Sequence, residues 1–299
     1  MKRITSKMPR FIDKEILDKV EWVDGDVLDI LSLEDAMQGI EIVIHSAAVV
    51  SYDIAERKQM YKVNVEGTIN VVNVALESGI RRLVFISSVA ALGRKKDSPV
   101  VDESAKWESS SFNTHYSITK NKAEREVWRG FAEGLEGVIL NPATILGYGN
   151  WNHGSCAMFK SAFNEFGWYT NGINGFTDVE DVARAAVELM RSDITEQRFI
   201  VCNDNWRFKK LFDAMADGFG KKRPNREATP LLAGIAWRIE KLKSLFTGQN
   251  PLLTRESAKL AQTETIFDNT KLLKILPQFQ FTSLDDTIRN ACRSYLSKN

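Results

Sequence analysis

Short apolar runs alternate with longer amphipathic segments through the first two thirds of this chain, and this alternation constrains its fold most. The runs have the length of strands and no polar face, which is typical of strands covered on both sides: 41–45, 82–86, 138–140 and 198–202. The segments between them have helical spacing, at 55–77, 116–133 and 179–190. This order predicts an α/β fold with a parallel sheet and right-handed crossovers.

Helix ends are indicated by capping residues. Ser32 is a candidate N-cap for a helix to about Gly39, and Gly79 suits the position after the 55–77 helix. A short helix is predicted over 12–19. The strand at 138–140 is expected to stop at Asn141-Pro142.

Composition excludes several function classes. The chain has 299 residues, a net charge of +1 and a hydrophobic fraction of 43%, which indicates a soluble protein without a nucleic-acid surface. Three cysteines and three histidines are scattered and form no metal-ligand spacing or disulfide framework. No apolar run has the length of a membrane span, so we expect a cytoplasmic protein.

Glycines and aromatic residues concentrate in 147–175, where the strand–helix alternation is interrupted. This segment is expected either to line a pocket or to pack the core of a small domain. We predict a cofactor domain at 1–147 and 176–203, and a smaller, mostly helical substrate-binding lid at 148–175 and 204–299. Within the lid, 230–246 forms a basic amphipathic helix that packs the lid, joins a homodimer or contacts a membrane surface.

The carboxyl ends of three predicted strands carry His45, Ser88 and Pro142. Because the ends of parallel strands meet at one edge of a sheet, we expect these residues to surround one crevice.

Tyr116 and Lys120 are four residues apart in a predicted helix and therefore share one face. A lysine beside a phenol favours the phenolate, so we expect Lys120 to lower the pKa of Tyr116 from about 10 toward about 7. Such a group suits general acid–base chemistry. The same pentad also occurs by chance in helices.

With these residues the chain resembles the extended short-chain dehydrogenase/reductase superfamily, which includes NAD-dependent epimerases and dehydratases. Within it, the dihydroflavonol-reductase-like and 3β-hydroxysteroid-dehydrogenase-like branch is the most similar. The matching segments follow the family's order: Gly25–Asp29, His45–Ala48, Asn64–Thr68, Phe85–Gly93, Asp102-Glu103, Tyr116–Lys120 and Asp178–Ala183. The resemblance implies a Rossmann-like sheet and a nicotinamide cofactor.

The resemblance also implies catalytic roles. Ser88 polarises the substrate carbonyl, Tyr116 transfers the proton, Lys120 supports the phenolate and holds the nicotinamide ribose, and Asn64 completes a water-linked proton path to Lys120. Ser87 is structural in this assignment.

Cofactor contacts are implied at several further positions. Asp26 and Val27 contact the adenine, the backbone at Ala47 and Ala48 passes under the nicotinamide ribose, and Pro142 lies at the crevice. Either NAD or NADP is expected. The basic residues Arg3 and Lys7 favour NADP, unless they are simply terminal charges.

Other polar residues have simpler interpretations. His45 is expected to order the turn after its strand, and His115 to lie at a helix start. Asp178 and Asp181 could form a carboxylate pair, but they suit the cap and first turn of the 179–190 helix.

The sequence departs from the family at two places. No strand, G-x-x-G-x-x-G loop and helix precede Arg3, and Gly147-Tyr-Gly149 is not expected to replace that phosphate-binding segment. We therefore expect an N-terminally truncated sheet, weak dinucleotide binding and marginal folding. Asn141 stands where many relatives carry arginine, which weighs against a sugar-nucleotide substrate.

The sequence thus predicts an NAD(P)-dependent oxidoreductase that acts on a carbonyl or secondary alcohol of a small apolar molecule. The alternatives are a nucleotide-sugar epimerase or dehydratase, with only Lys160 offered by 147–175 for a pyrophosphate, and a truncated non-catalytic relative.

Overall fold

The computed structural model describes residues 14–94, 98–110, 113–247 and 254–298. Arg3 and Lys7 lie outside these residues.

Eleven strands and twelve α-helices are assigned within the described residues. The strands are β1 Ile42–His45, β2 Arg82–Ile86, β3 Val100–Val101, β4 Glu136–Pro142, β5 Thr144–Leu146, β6 Trp168–Tyr169, β7 Ile173–Asp178, β8 Gln197–Val201, β9 Asp204–Arg207, β10 Arg226–Glu227 and β11 Ile266–Phe267. The helices are α1 Lys14–Leu17, α2 Ile30–Met37, α3 Arg57–Tyr61, α4 Gly67–Glu77, α5 His115–Ala132, α6 Cys156–Phe163, α7 Val179–Arg191, α8 Phe208–Phe219, α9 Pro230–Thr247, α10 Arg255–Leu260, α11 Thr270–Ile275 and α12 Leu284–Lys298.

The main sheet is parallel, and its strands follow the order β1-β2-β4-β8. Its register pairs His45 with Phe85 and Ile86 with Leu140, so the carboxyl ends of β1, β2 and β4 lie at one edge. The predicted α/β fold with a parallel sheet is confirmed.

Helices cover both faces of this sheet. Leu83, Phe85 and Ile139 pack on one side against α4 and α5. Val84, Val138 and Leu140 pack on the other side against α7. Strands between two helical layers need apolar residues at consecutive positions, and this explains the unbroken runs in the sequence.

Strand β1 is less buried than its apolar sequence predicts. Ile44 is 47% exposed, whereas burial on both faces was expected. β1 is the outermost strand of the sheet, because no other described strand pairs with the side of β1 that faces away from β2. The apolar run therefore forms a strand, but it is not covered on both faces.

Two predicted boundaries are wrong by a few residues. Asp29 is the N-cap of α2, and Ser32 lies within the helix, where its backbone N–H is bonded by the Asp29 carboxylate. β4 continues through Asn141 and Pro142, which pair with β8. Proline lacks an N–H, but its carbonyl remains available to the ladder. Asp178 is confirmed as the N-cap of α7.

A second sheet, β5-β7-β9, was not predicted. β5 and β7 are parallel, and β9 is antiparallel to β7. Gly175 in β7 allows close packing, since a Cβ there would lie 2.7 Å from the Cys202 sulfur and 2.8 Å from the Phe267 ring. Short strands with several polar residues leave little sequence signal.

Most aromatic residues of the 147–175 segment pack a core rather than line a pocket. Trp151, Phe159 and Phe163 join Tyr295 of α12 in one apolar cluster, which we call the lid core. Of the two alternatives for this segment, core packing is therefore the one observed for these rings.

Part of the predicted lid packs elsewhere. Leu272 of α11 and Phe279 belong to the core on the α7 side of the main sheet. Helix α9 presents Leu231, Ile235 and Ile239 to solvent. A membrane contact or homodimer through this helix stays a prediction.

Candidate active site

Tyr116 and Lys120 lie in the first two turns of α5, beside the carboxyl end of β2. The Thr114 hydroxyl caps the helix by accepting the Ser117 N–H at 3.0 Å, which fixes where the helix begins. The two residues are 8% and 2% exposed, respectively. The predicted shared face is therefore a buried one.

Ser88 begins the loop after β2 with an extended backbone. Its hydroxyl oxygen accepts the Ala90 N–H at 3.1 Å, and its side chain lies close enough to Tyr116 to act on the pKa of the phenol. The structure thus brings together the two oxygen-bearing side chains that the sequence assigned to carbonyl chemistry.

Lys120 is held by the strand behind it. Its Nζ donates to the Ile86 carbonyl at 2.9 Å and lies 4.6 Å from the centre of the Phe85 ring. Burial lowers the pKa of Lys120 to about 8, and the nearby Glu124 carboxylate opposes this effect. The ammonium is therefore near its titration range under mildly alkaline conditions.

The expected pKa of Tyr116 is wrong for the structure as it stands. Burial raises this pKa above its usual value, and the polar side chain of Ser88 acts to lower it. Desolvation of the phenolate is the largest cause of this shift, and Lys120, whose Nζ donates to the Ile86 carbonyl, is not among the groups that lower the pKa. The resting side chain is a neutral phenol, which can donate a proton.

Asn64 connects three parts of the site. Its Oδ1 accepts the Val49 N–H at 2.7 Å, and its Nδ2 donates to the Val49 carbonyl at 2.9 Å and to the Thr119 hydroxyl at 3.0 Å. Both amide hydrogens are therefore used to hold the loop after β1 against α5. Its link to Lys120 through water stays a prediction.

Tyr52 is a residue that the sequence analysis missed. Its ring lies edge-on to that of Tyr116, with centroids 6.2 Å apart, and burial raises its pKa. Its only sequence signal was an aromatic residue in the loop after a strand end. The Tyr52 ring therefore packs against the ring of Tyr116.

The residues assigned to the cofactor differ in exposure. Ala47 and Ala48 are exposed just beyond β1, and Pro142 is buried at the end of β4. The Asp26 carboxylate accepts the Leu28 N–H, and Val27 packs against Gly67 of α4. Ala47 and Ala48 follow the carboxyl end of β1, and Lys120 bonds to the carboxyl end of β2; their contacts with a dinucleotide stay a prediction.

The residues that would hold the phosphates are less evident. The loop at 147–155 does join a strand, β5, to a helix, α6, although this context was not expected for Gly147 and Gly149. It packs Trp151 into the lid core, and β5 belongs to the smaller sheet. Among the described residues, no strand of the main sheet leads into a helix through a glycine-rich loop.

His45 is a structural residue by its contacts. Thr68 donates its hydroxyl hydrogen to the Asn64 carbonyl at 2.7 Å, so it accepts from His45 Nε2, 3.0 Å away. Burial lowers the pKa of His45 to about 3. The ring is a neutral donor, as a turn-ordering role requires.

We expect His45 to make the fold sensitive to acid. Its pKa is lower in the folded than in the unfolded protein, so stability is complete above pH 6.5 and falls as the unfolded state takes up a proton. The loss should be about 2–3 kcal/mol between pH 6.5 and 4.5. Urea unfolding of His45→Gln, which keeps a donor for Thr68, should show a smaller pH dependence. The exposed His153→Gln control should behave as the wild type, and equal curves for all three proteins would contradict the assignment.

Other kinds of site find little support. Within the described residues, no cluster of histidine, cysteine and acidic side chains could hold a metal, and no helix is long and apolar enough to cross a bilayer. Cavities of about 420 Å³ beside Lys209 and about 640 Å³ beside Arg198 are lined by residues other than Tyr116.

Comparison with known proteins identifies relatives and a similar solved structure. Sterol demethylase protein B of Methylococcus capsulatus is 29% identical over 262 residues, which cover 84% of this chain and 78% of that protein. A putative dihydroflavonol 4-reductase of Synechocystis is 29% identical over 269 residues, covering 86% and 76%. The crystal structure of gox2253 matches with a TM-score of 0.81 and 26% identity, over 100% of this chain and 90% of that one.

The sequence also matches a family model over residues 2–202. These residues include the main sheet as well as Ser88, Tyr116 and Lys120. The chain belongs to the NAD dependent epimerase/dehydratase family.

Proposed function

We propose that this protein is an NAD(P)-dependent oxidoreductase that interconverts a carbonyl group and a secondary alcohol on a small apolar molecule. The observation that carries the proposal is that Ser88, Tyr116 and Lys120 lie together at the carboxyl end of β2, with Lys120 one helical turn from Tyr116 and bonded to the Ile86 carbonyl. A neutral donor, a proton donor and a cation are the groups that carbonyl reduction needs.

The chain's own residues would divide the work in the reducing direction. Ser88 donates its hydroxyl hydrogen to the substrate oxygen, and Tyr116 transfers its phenolic proton to that oxygen as negative charge develops. Lys120 then stabilises the phenolate that remains. When bound, the nicotinamide cofactor supplies the hydride.

Burial supports the role of Tyr116 as an acid. Because its pKa is raised, the phenol stays protonated at neutral pH and can be consumed as a proton donor. An ordered substrate would replace water beside it and further favour proton transfer within the site. The same burial makes the cation of Lys120 important, since a buried phenolate has no water to stabilise it.

An apolar substrate is supported by two observations. Tyr52 places an aromatic ring beside Tyr116. The names of similar proteins, sterol demethylase protein B and dihydroflavonol 4-reductase, indicate ring-bearing organic substrates for those proteins. The aromatic rings of the lid core do not bear on the substrate, because Trp151 and Phe159 pack edge-on against each other within that core.

The choice between NAD and NADP belongs to the proposal. The family description supports a nicotinamide dinucleotide. The preference for NADP depends on Arg3 and Lys7, which lie outside the described residues. Ala47, Ala48 and Lys120 would contact the nicotinamide riboside whichever dinucleotide binds.

A nucleotide-sugar substrate is less well supported. Lys160, the cation that 147–175 offers for a pyrophosphate, is bonded through Nζ to the Asn152 side-chain oxygen at 2.6 Å. A non-catalytic role is disfavoured because Ser88, Tyr116 and Lys120 are assembled rather than dispersed.

The proposal is tested by incubating the protein with ketone and aldehyde panels and either NADH or NADPH, and by following absorbance at the nicotinamide band. Sugar nucleotides serve as the competing panel. We expect turnover of apolar ketones. Conversion of sugar nucleotides alone, or cofactor binding without turnover of any panel, would contradict the proposal.

A further inference from the structure

A second group of buried polar side chains lies one helical turn beyond Lys120. At its centre is Glu124 of α5, which is 1% exposed. Its Oε2 accepts hydrogen bonds from Ser87 Oγ and Asn141 Nδ2, both at 2.8 Å, and its Oε1 accepts from Arg198 Nη1 at 2.7 Å. Three donors therefore satisfy this one buried carboxylate.

Arg198 supplies the positive charge of this network from β8. Its guanidinium also donates to the main-chain carbonyls of Glu103 and Ala105, which fixes its direction. Its side chain is 20% exposed, whereas that of Glu124 is 2% exposed. Arg198 therefore connects a solvent-facing cavity to a carboxylate that water does not reach.

Asn141 connects this network to the active site through a hydrogen bond to Ser88. The same Nδ2 that donates to Glu124 also donates to the Ser88 carbonyl at 2.9 Å. The Ser87 N–H in turn donates to the Leu140 carbonyl at 2.7 Å. Both serines of the Ser87-Ser88 pair are thus hydrogen-bonded to Glu124 or to β4. The direction of the Ser88 side chain depends on these hydrogen bonds.

Charge provides a second connection. Glu124 and Lys120 are four residues apart on α5, and the Glu124 carboxylate raises the pKa of Lys120 against the effect of burial. The ammonium bonds to the Ile86 carbonyl, one residue before Ser87. One carboxylate therefore influences both the cation and the carbonyl-polarising serine of the site.

We propose that Glu124 is a positioning residue, which orients Ser88 through Asn141 and Ser87 and supports the positive charge of Lys120. This role deepens the proposed function and depends on it for its effect on turnover. Its effect on the protonation state of Lys120 can be measured without any substrate.

The first test follows Lys120 by NMR of the full chain labelled with ¹³C at lysine Cε. The Lys120 signal is the one missing from Lys120→Met. We expect it to titrate near pH 8 in the wild type and about 0.5–1 unit lower in Glu124→Gln. Glu126→Gln, which removes a carboxylate bonded to Arg129 on the same helix, is the matched control and should not shift it. An unchanged titration in Glu124→Gln would overturn the charge connection.

The second test uses steady-state kinetics to separate the orientation of Ser88 from the support of the Lys120 charge. Asn141→Ala removes the hydrogen bond to the Ser88 carbonyl but keeps the ion pair between Arg198 and Glu124. We therefore expect kcat to fall about tenfold and the Lys120 titration to stay unchanged. Glu124→Asp keeps the charge but shortens the side chain, so it should restore the titration while kcat stays low. Wild-type kcat in both variants would overturn the positioning role.

These outcomes also separate this proposal from the proposed function. A wild-type protein without reductase turnover would contradict the function, while the Lys120 titration would still decide the charge connection. Thermal melts identify variants that do not fold. If Glu124→Gln does not fold, Glu124→Asp and Asn141→Ala still decide the test.

Discussion

Replacing Tyr116 with phenylalanine is expected to reduce the turnover number about 10²–10⁴-fold, which is the usual contribution of a positioned general acid. The change removes the proton donor that lies beside Ser88 but keeps the buried ring and its contact with Tyr52. Cofactor binding should change little, because the phenol hydrogen is not assigned to it. Initial rates and cofactor titrations measure the two effects separately.

Tyr61→Phe is the matched control, since Tyr61 is an exposed tyrosine whose ring contacts Lys122. It should keep wild-type turnover. Undiminished turnover in Tyr116→Phe would remove Tyr116 from the chemistry, and equal losses in both variants would indicate a general effect on folding.

Replacing Lys120 with methionine is expected to abolish turnover and yet to stabilise the fold at pH 7. Burial places the pKa of Lys120 at about 8, below its unfolded value of 10.5. The folded protein therefore bears an unfavourable charge at pH 7, worth about 3 kcal/mol before the lost bond to Ile86 is subtracted. We expect a net gain of about 1–3 kcal/mol in the free energy of unfolding.

The pH dependence gives the sign of this effect. In the wild type the unfolded state holds more protons between pH 8 and 10.5, so Lys120 makes stability rise with pH over this range. Lys120→Met should lack this rise, whereas the exposed Lys122→Met should keep it. Urea unfolding at pH 7 and pH 10 measures both. A destabilised Lys120→Met with an unchanged pH dependence would contradict the lowered pKa.

The main sheet could be predicted because its strands are buried between helices and therefore need uninterrupted apolar runs. Ile44 shows the limit of this rule, since an edge strand can have the same composition as a central one. The smaller sheet could not be predicted, because β9 has only Trp206 buried and its other residues are polar and exposed or half-buried. Tertiary pairing, rather than local pattern, makes these residues a strand.

The candidate site was partly readable from the sequence. Ser88, Tyr116 and Lys120 were predicted because strand ends and helical spacing place them together. The raised pKa of Tyr116 was not, because spacing indicates which charges are near but not how much water is removed. Glu124 was missed because a charged residue in a helix usually faces solvent, and its burial depends on Arg198, which is 74 residues away in sequence.

The most direct test of the central claim is transfer of deuterium from nicotinamide cofactor labelled at C4 to an apolar ketone. Mass spectrometry of the product locates the isotope and gives the rate of its transfer. We predict deuterium at the carbinol carbon of the alcohol, with transfer about 10²–10⁴-fold slower in Tyr116→Phe. A product formed without the label, or labelled equally fast by Tyr116→Phe, would contradict the assignment of this site.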